Sequence, residues 1–164
     1  HCSSAASDVY KRQDEYRAAK EMLEQEFDRA KRRGESYPSD LKVGAMIETP
    51  AFALSFHELK GEIDFLSIGT NDLHQYFFAV DRDNRMLSDR YPILNKTFLL
   101  FLKDICARAN ACNVPVSICG EAAGNPLMAL VFGLLGFRRL SMPVSGVGPV
   151  KRAIRRVNLS LIHI

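Results

Sequence analysis

The chain has 164 residues, of which 47% are hydrophobic and 25% are charged, a composition typical of a globular domain. Its formal net charge of +3 is small and its basic residues are spread along the chain, so no nucleic-acid partner is expected. No apolar run approaches the roughly 20 residues of a membrane span. The four cysteines have no paired spacing and no signal-peptide pattern is visible, so we expect reduced thiols in a cytoplasmic protein.

Predicted strands and helices alternate along most of the chain. Apolar residues at helical spacing predict a first helix over 14–33, ended by Gly34 and Pro38. Residues 81–94 have the composition of a loop. The remaining predicted elements are strands at 43–47, 63–68, 114–118 and 139–142, and helices at about 50–60, 72–80, 95–111, 126–135 and 145–157.

This alternation predicts an α/β fold with a parallel sheet. A (β/α)8 barrel needs about 250 residues, so about four βα units would supply the C-terminal half of one. A small open sheet is the alternative that the pattern leaves open.

The two ends of the chain do not look like parts of the native protein. Residues 159–164 resemble a translation of a transposon end that is common in sequencing libraries, and residues 8–13 resemble a translation of its reverse complement. We therefore expect 1–13 and 159–164 to be adapter-like, non-native ends. The segment 14–158 is then the expected native part, a fragment of a longer protein.

Polar side chains follow three of the predicted strands. Glu48 follows the first strand, Asn71 and Asp72 follow the second, and Cys119 follows the third. The carboxyl ends of parallel strands meet at one rim, where Glu48 and Asp72 would suit Mg²⁺. Capping of the next helix is an equally good interpretation of both carboxylates.

Two further residues could carry chemistry near this rim. Arg82 could grip a phosphate bidentately, although a surface arginine in a polar loop is the alternative. Cys119 could act as nucleophile or proton donor, or be a small buried hydrophobe. Gly124 and Asn125 predict a mobile loop after it. We interpret His74 as a helix-surface residue.

Four motifs together resemble one family. The stretches GAMIETP (44–50), SIGTNDL (67–73), AVDR (79–82) and ICGE (118–121) resemble the C-terminal barrel of phosphoenolpyruvate (PEP)-utilising enzymes. Within that family the chain looks like Enzyme I, the PEP–protein phosphotransferase of the bacterial sugar phosphotransferase system. The resemblance covers essentially all of 14–158, and the SMP and GPVK stretches near its end look most like the nitrogen-regulatory branch.

The resemblance implies the roles of the candidate residues. Glu48 and Asp72 would ligate Mg²⁺, or Mn²⁺ in its place. Asn71, Asp72 and Arg82 would bind PEP. Cys119 would donate the proton that converts enolpyruvate into pyruvate.

The resemblance also implies partners. The phosphoryl group would pass to a histidine of a domain that this chain lacks, and then to a histidine phosphocarrier protein (HPr-like). The complete protein would form a homodimer through the barrel, and the fragment alone would be inactive. Three alternatives stay open. The chain could be a fragment of pyruvate phosphate dikinase or PEP synthase, an inactive dimerisation half-barrel, or a thiol-redox protein that uses Cys119.

Overall fold

The computed structural model describes residues 3–6, 13–36, 38, 40–80 and 90–157. Five strands form one sheet: β1 (Ser3–Ala6), β2 (Lys42–Ile47), β3 (Phe65–Gly69), β4 (Val116–Cys119) and β5 (Leu140–Ser141). They lie side by side in chain order, and every neighbouring pair is parallel. The predicted α/β class with a parallel sheet is thereby confirmed.

Helices connect the consecutive strands. They are α1 (Gln13–Arg32), α2 (Pro50–Ser55), α3 (Thr70–Phe78), α4 (Lys96–Ala111), α5 (Pro126–Leu134) and α6 (Val144–Arg156). Short 3₁₀ turns follow at Phe56–Leu59 and Glu121–Gly124. Sequential parallel strands joined through helices are the construction of part of a (β/α)8 barrel.

The predicted elements of 14–157 match the structure to within a few residues, and two features differ. The predicted last strand is reduced to Leu140–Ser141. Strand β1 was not predicted, and it lies inside the end expected to be non-native; its backbone pairs with β2 from Ser3 opposite Lys42 to Ala6 opposite Ala45. Most of the predicted 81–94 loop lies outside the described residues.

The two faces of the sheet have different characters because side chains alternate along each strand. One face contributes buried apolar residues to a core shared with the helices: Ala45, Ile47, Leu66, Ile68, Val116 and Ile118 from the strands, and Phe52, Phe56, Leu73, Phe98, Leu102, Ile105 and Phe132 from the helices and turns. The other face carries Met46, Ser67, Ser117 and Cys119, which are not part of that core. This second face corresponds to the inner side of a barrel.

Side-chain caps fix where three helices begin. Thr49 accepts a hydrogen bond from the backbone N–H of Phe52 at the start of α2, and Asn95 and Asn125 do the same for α4 and α5. Such caps satisfy backbone donors that the first helical turn leaves free. Two of these caps, Thr49 and Asn125, lie in the connections that follow β2 and β4. None of the helices in the described ranges is long and apolar enough to cross a membrane.

We expect Asn95→Ala to lower the free energy of unfolding by about 1 kcal/mol. The Asn95 carboxamide accepts from the N–H groups of Thr97 and Phe98, at 2.9 and 3.4 Å, and alanine cannot replace it. Asn95→Ser, which can still cap, is the matched control. Urea unfolding followed by circular dichroism measures both; equal losses in the two variants would contradict the capping role.

Candidate active site

The pairing register brings the ends of three strands into one row. Ile47 of β2 pairs with Ile68 of β3, so Glu48 comes beside Gly69. Gly69 pairs in turn with Cys119, and Cys119 with Ser141. Glu48 and Cys119 therefore flank Gly69 at the carboxyl edge of the sheet, where the sequence predicted a rim.

Glu48 lies across the end of β3. A Cβ atom placed on Gly69 would be 2.8 Å from the Glu48 Cγ and 3.1 Å from its Oε1, closer than packed atoms approach. The glycine therefore leaves the space that the carboxylate side chain uses. Glu48 does not cap α2, because Thr49 does so, and the capping interpretation of Glu48 is wrong.

Asn71 and Asp72 lie in the first turn of α3. The helix begins at Thr70 with Gly69 as its N-cap and without a side-chain cap, so the capping interpretation of Asp72 is wrong. A carboxylate in the first turn is favoured by the helix dipole. A Cβ placed on Gly120 would lie 3.8 Å from the Asn71 Oδ1, so the amide rests beside the end of β4.

Cys119 is partly exposed at the end of β4, and its Sγ donates a hydrogen bond to the Ile68 carbonyl at 3.2 Å. Burial raises the pKa of the thiol above its ordinary value, the Ser67 hydroxyl lowers that pKa, and the carboxylates of Glu48 and Asp72 raise it. Both carboxylates are therefore within electrostatic range of the sulfur. A thiol with a raised pKa keeps its proton at neutral pH, which suits a proton donor better than a thiolate nucleophile.

The segment after Cys119 is a packed turn and not the loop that the sequence predicted. Ala122 and Ala123 in the turn are buried. Gly124 lies against the start of α6, where a Cβ placed on Gly146 would be 2.8 Å from the Gly124 Cα. Asn125 caps α5 through its side chain. Gly124, which suggested mobility, therefore makes a close backbone contact, and Asn125 caps a helix.

His74 does not lie on an exposed helix surface. Its ring centroid is 5.0 Å from the rings of both Phe78 and Phe98, and burial lowers its pKa. The residue belongs to the aromatic packing between α3 and α4.

A cavity in the described part of the chain lies away from these residues. Its volume is about 590 Å³ and it lies between α5, β5 and α6, with Arg138 and Lys151 among its lining residues. Glu48, Asn71 and Cys119 do not line it. The rim residues are therefore not part of this cavity.

Residues 9–159 match the model of the PEP-utilising enzyme, PEP-binding domain. The chain belongs to the PEP-utilising enzymes.

Curated relatives of this PEP-utilising chain are named PEP-protein phosphotransferases. The protein of Cupriavidus necator is 41% identical over 122 residues, which cover 74% of this chain and 21% of the relative. That of Borreliella burgdorferi is 39% identical over 129 residues, which cover 79% and 22%. A protein of Escherichia coli named for the PEP-dependent phosphotransferase system is 36% identical over 117 residues, which cover 71% and 16%.

The chain thus spans about a fifth to a quarter of the length of the first curated relatives it matches. Among solved structures, a pyruvate kinase of Cryptosporidium parvum aligns with a TM-score of 0.49 and 15% identity, over 71% of this chain and 23% of that one.

The rim residues of this PEP-utilising chain fit a hard divalent cation. Mg²⁺ takes one or two protein carboxylates and completes its shell with water and phosphate oxygens, and Glu48 and Asp72 can provide the two carboxylates. Among the residues that the structure describes, no group of three or more His, Cys, Asp or Glu side chains is placed to hold a metal.

Arg82, which the sequence assigned to the phosphate, lies outside the described residues, and its role stays a prediction. Two residues near Cys119 were missed. Thr70 is fully buried and donates a hydrogen bond to the Cys119 carbonyl, and Ser67 interacts with the thiol. Strand alternation could have identified Ser67, which is two residues before Gly69 and shares its face.

We expect the alkylation of Cys119 by iodoacetamide to reach half its maximal rate at a higher pH than that of a free cysteine. Burial is the largest cause of the raised pKa of the Cys119 thiol, and the Glu48 carboxylate raises that pKa further. Glu48→Gln should therefore shift the profile to lower pH, because a neutral side chain no longer opposes the thiolate. Rates resolved by peptide mass spectrometry provide the profiles, with Glu58→Gln on the exposed 3₁₀ turn as the control. An unshifted profile for Glu48→Gln would show that the Glu48 carboxylate does not affect the pKa of the thiol.

Proposed function

We propose that this chain is the PEP- and metal-binding part of a PEP–protein phosphotransferase of the bacterial phosphotransferase system, the Enzyme I type. The observation that carries the proposal is the rim itself. A protonated thiol, two carboxylates and an amide lie at adjacent strand ends in a member of the PEP-utilising enzymes. The names of the relatives support a protein phosphotransferase over a dikinase or synthase.

The rim residues have separable tasks in this proposal. Glu48 and Asp72 hold a divalent ion, Mg²⁺ or Mn²⁺, which neutralises negative charge on the substrate phosphate when bound. Asn71 offers amide N–H donors to a phosphate oxygen. Arg82 adds a fixed positive charge to the same phosphate. Positioning and charge stabilisation are the main requirements of phosphoryl transfer.

The proton that completes the reaction comes from Cys119. Transfer breaks the bond between phosphorus and the enol oxygen of PEP, and the phosphoryl group is taken by a histidine nitrogen. The enolate left behind becomes pyruvate when its terminal carbon takes the proton of the Cys119 thiol, and water then reprotonates the sulfur. The raised pKa of the thiol keeps that proton in place before transfer.

We infer a wider setting for this reaction. The native segment is 14–158 of a longer cytoplasmic protein, which supplies the phosphoryl-accepting histidine and dimerises through the barrel. The final acceptor is a histidine phosphocarrier protein. The SMP and GPVK stretches favour the nitrogen-regulatory branch. The sequence of the complete gene tests these assignments: a histidine domain preceded by a sensory domain supports the branch, whereas an upstream ATP-binding domain overturns the phosphotransferase assignment.

Asp72→Ala should remove Mg²⁺-dependent PEP binding from the complete enzyme that carries this segment. The loss of a metal ligand is expected to weaken binding at least about 100-fold. Isothermal titration with PEP, with and without Mg²⁺, measures the effect. Asp28→Ala, on an exposed position of α1, is the control. An unchanged affinity for Asp72→Ala would remove this residue from the site.

Cys119→Ala should separate binding from turnover in the same complete enzyme. We expect the rate of pyruvate formation to fall by roughly 10²- to 10⁴-fold, the usual contribution of a positioned acid, while the affinity for PEP stays the same. A coupled pyruvate assay and titration measure the two quantities. Cys112→Ala, which changes a free thiol at the end of α4, is the control. If binding and turnover fall together, Cys119 is not the acid.

A further inference from the structure

The hydroxyl group of Thr70 makes a contact that the proposed reaction does not use. Thr70 is the first residue of α3 and is fully buried. Its Oγ1 donates a hydrogen bond to the carbonyl oxygen of Cys119, 3.1 Å away on the neighbouring strand. Gly69 and Cys119 form the last backbone pair between β3 and β4. The hydroxyl therefore extends the ladder by one bond after the backbone of β3 has turned into α3.

The peptide after Cys119 is shaped to receive this hydroxyl. Gly120 has a φ of +121°, a conformation that only glycine adopts readily. A Cβ atom placed there would lie 2.8 Å from the Thr70 Oγ1 and 3.8 Å from the Asn71 Oδ1. A larger residue at this position would therefore displace the hydroxyl from the carbonyl, and Asn71 rests against the same peptide.

The side chain of Cys119 is held by the same strand. Its Sγ donates to the carbonyl oxygen of Ile68 at 3.2 Å, and Ile68 and Thr70 are separated only by Gly69. The carbonyl and the thiol of Cys119 are thus attached to two points on one short stretch of β3 and α3. Loss of the bond to the carbonyl would loosen the end of β4, which carries the thiol.

We propose that Thr70 is a positioning residue, which fixes the Cys119 thiol relative to Asn71 by holding the Cys119 carbonyl. The inference rests on the proposed function for its purpose, the delivery of a proton at a fixed point beside the phosphate ligand. Its physical basis is the cost of an unsatisfied carbonyl. Without the hydroxyl, the Cys119 carbonyl loses this donor, and the end of β4 is held less firmly against β3.

Two substitutions at Thr70 in the full chain test this role. Thr70→Val keeps the shape of the side chain and removes the hydroxyl, whereas Thr70→Ser keeps the hydroxyl. We expect iodoacetamide to alkylate Cys119 about tenfold faster in Thr70→Val, a factor typical of one lost hydrogen bond, and at a rate within about twofold of the unchanged chain in Thr70→Ser. Peptide mass spectrometry follows each cysteine separately.

Thr49→Val is the matched control. It removes another buried threonine hydroxyl, which accepts from the N–H of Phe52 in the preceding strand-to-helix connection, and it should leave the Cys119 rate unchanged. Equal Cys119 rates in Thr70→Val and the unchanged chain would overturn the proposal. So would equal rates in Thr70→Val and Thr70→Ser, or an acceleration by Thr49→Val as large as that by Thr70→Val.

A second measurement needs no substitution and stays decisive if Thr70→Val does not fold. In NMR spectra of the unchanged chain, the Thr70 hydroxyl proton should exchange with water at least about tenfold more slowly than that of exposed Thr97, because it is buried and hydrogen-bonded. Equal exchange at the two positions would overturn the proposal. Neither readout involves PEP, so a failure of PEP binding counts against the proposed function alone.

Discussion

The in-register parallel pairing of β2, β3 and β4 determines the position of every candidate residue at the rim. Each strand ends at the same level, so Glu48, Gly69 and Cys119 lie in one row although up to 71 residues separate them in the chain. A shift of one residue in either pairing would send the following side chains to the opposite face. The apolar face resists such a shift, because it would move Ile47, Ile68 or Ile118 out of the core.

Small residues make the rim usable once the strands are in place. Gly69 provides the room in which Glu48 crosses β3, and Gly120 lets the Thr70 hydroxyl and Asn71 approach the end of β4. The proposed chemistry thus requires the absence of a side chain at Gly69 and Gly120 as much as it requires the charged groups nearby. Burial, and to a smaller extent the two negative charges that this closeness places near the thiol, raise its pKa and keep the sulfur protonated.

Much of this arrangement could be predicted from the sequence. Hydrophobic periodicity located the helices and strands of 14–157, and the rule that parallel strands end at one edge brought Glu48, Asp72 and Cys119 together. The local contacts at the rim could not be predicted from the sequence. Whether a carboxylate caps a helix depends on the exact residue at which the helix begins, and Thr49 and Gly69 occupy the N-cap positions instead. Asn125 suggested mobility because the composition of a turn does not reveal what packs against it. Strand β1 could not be predicted, since its pairing depends on the free edge of β2.

The contact between Gly124 and Gly146 constrains how α6 packs. Backbone touches backbone there, with no side chain in between to deform and absorb a displacement. Helix α6 and the turn after Cys119 therefore approach each other as closely as two backbones can. A side chain on Gly146 would push the helix away from this turn. The last helix that the structure describes is in this way packed directly against the segment that follows the thiol.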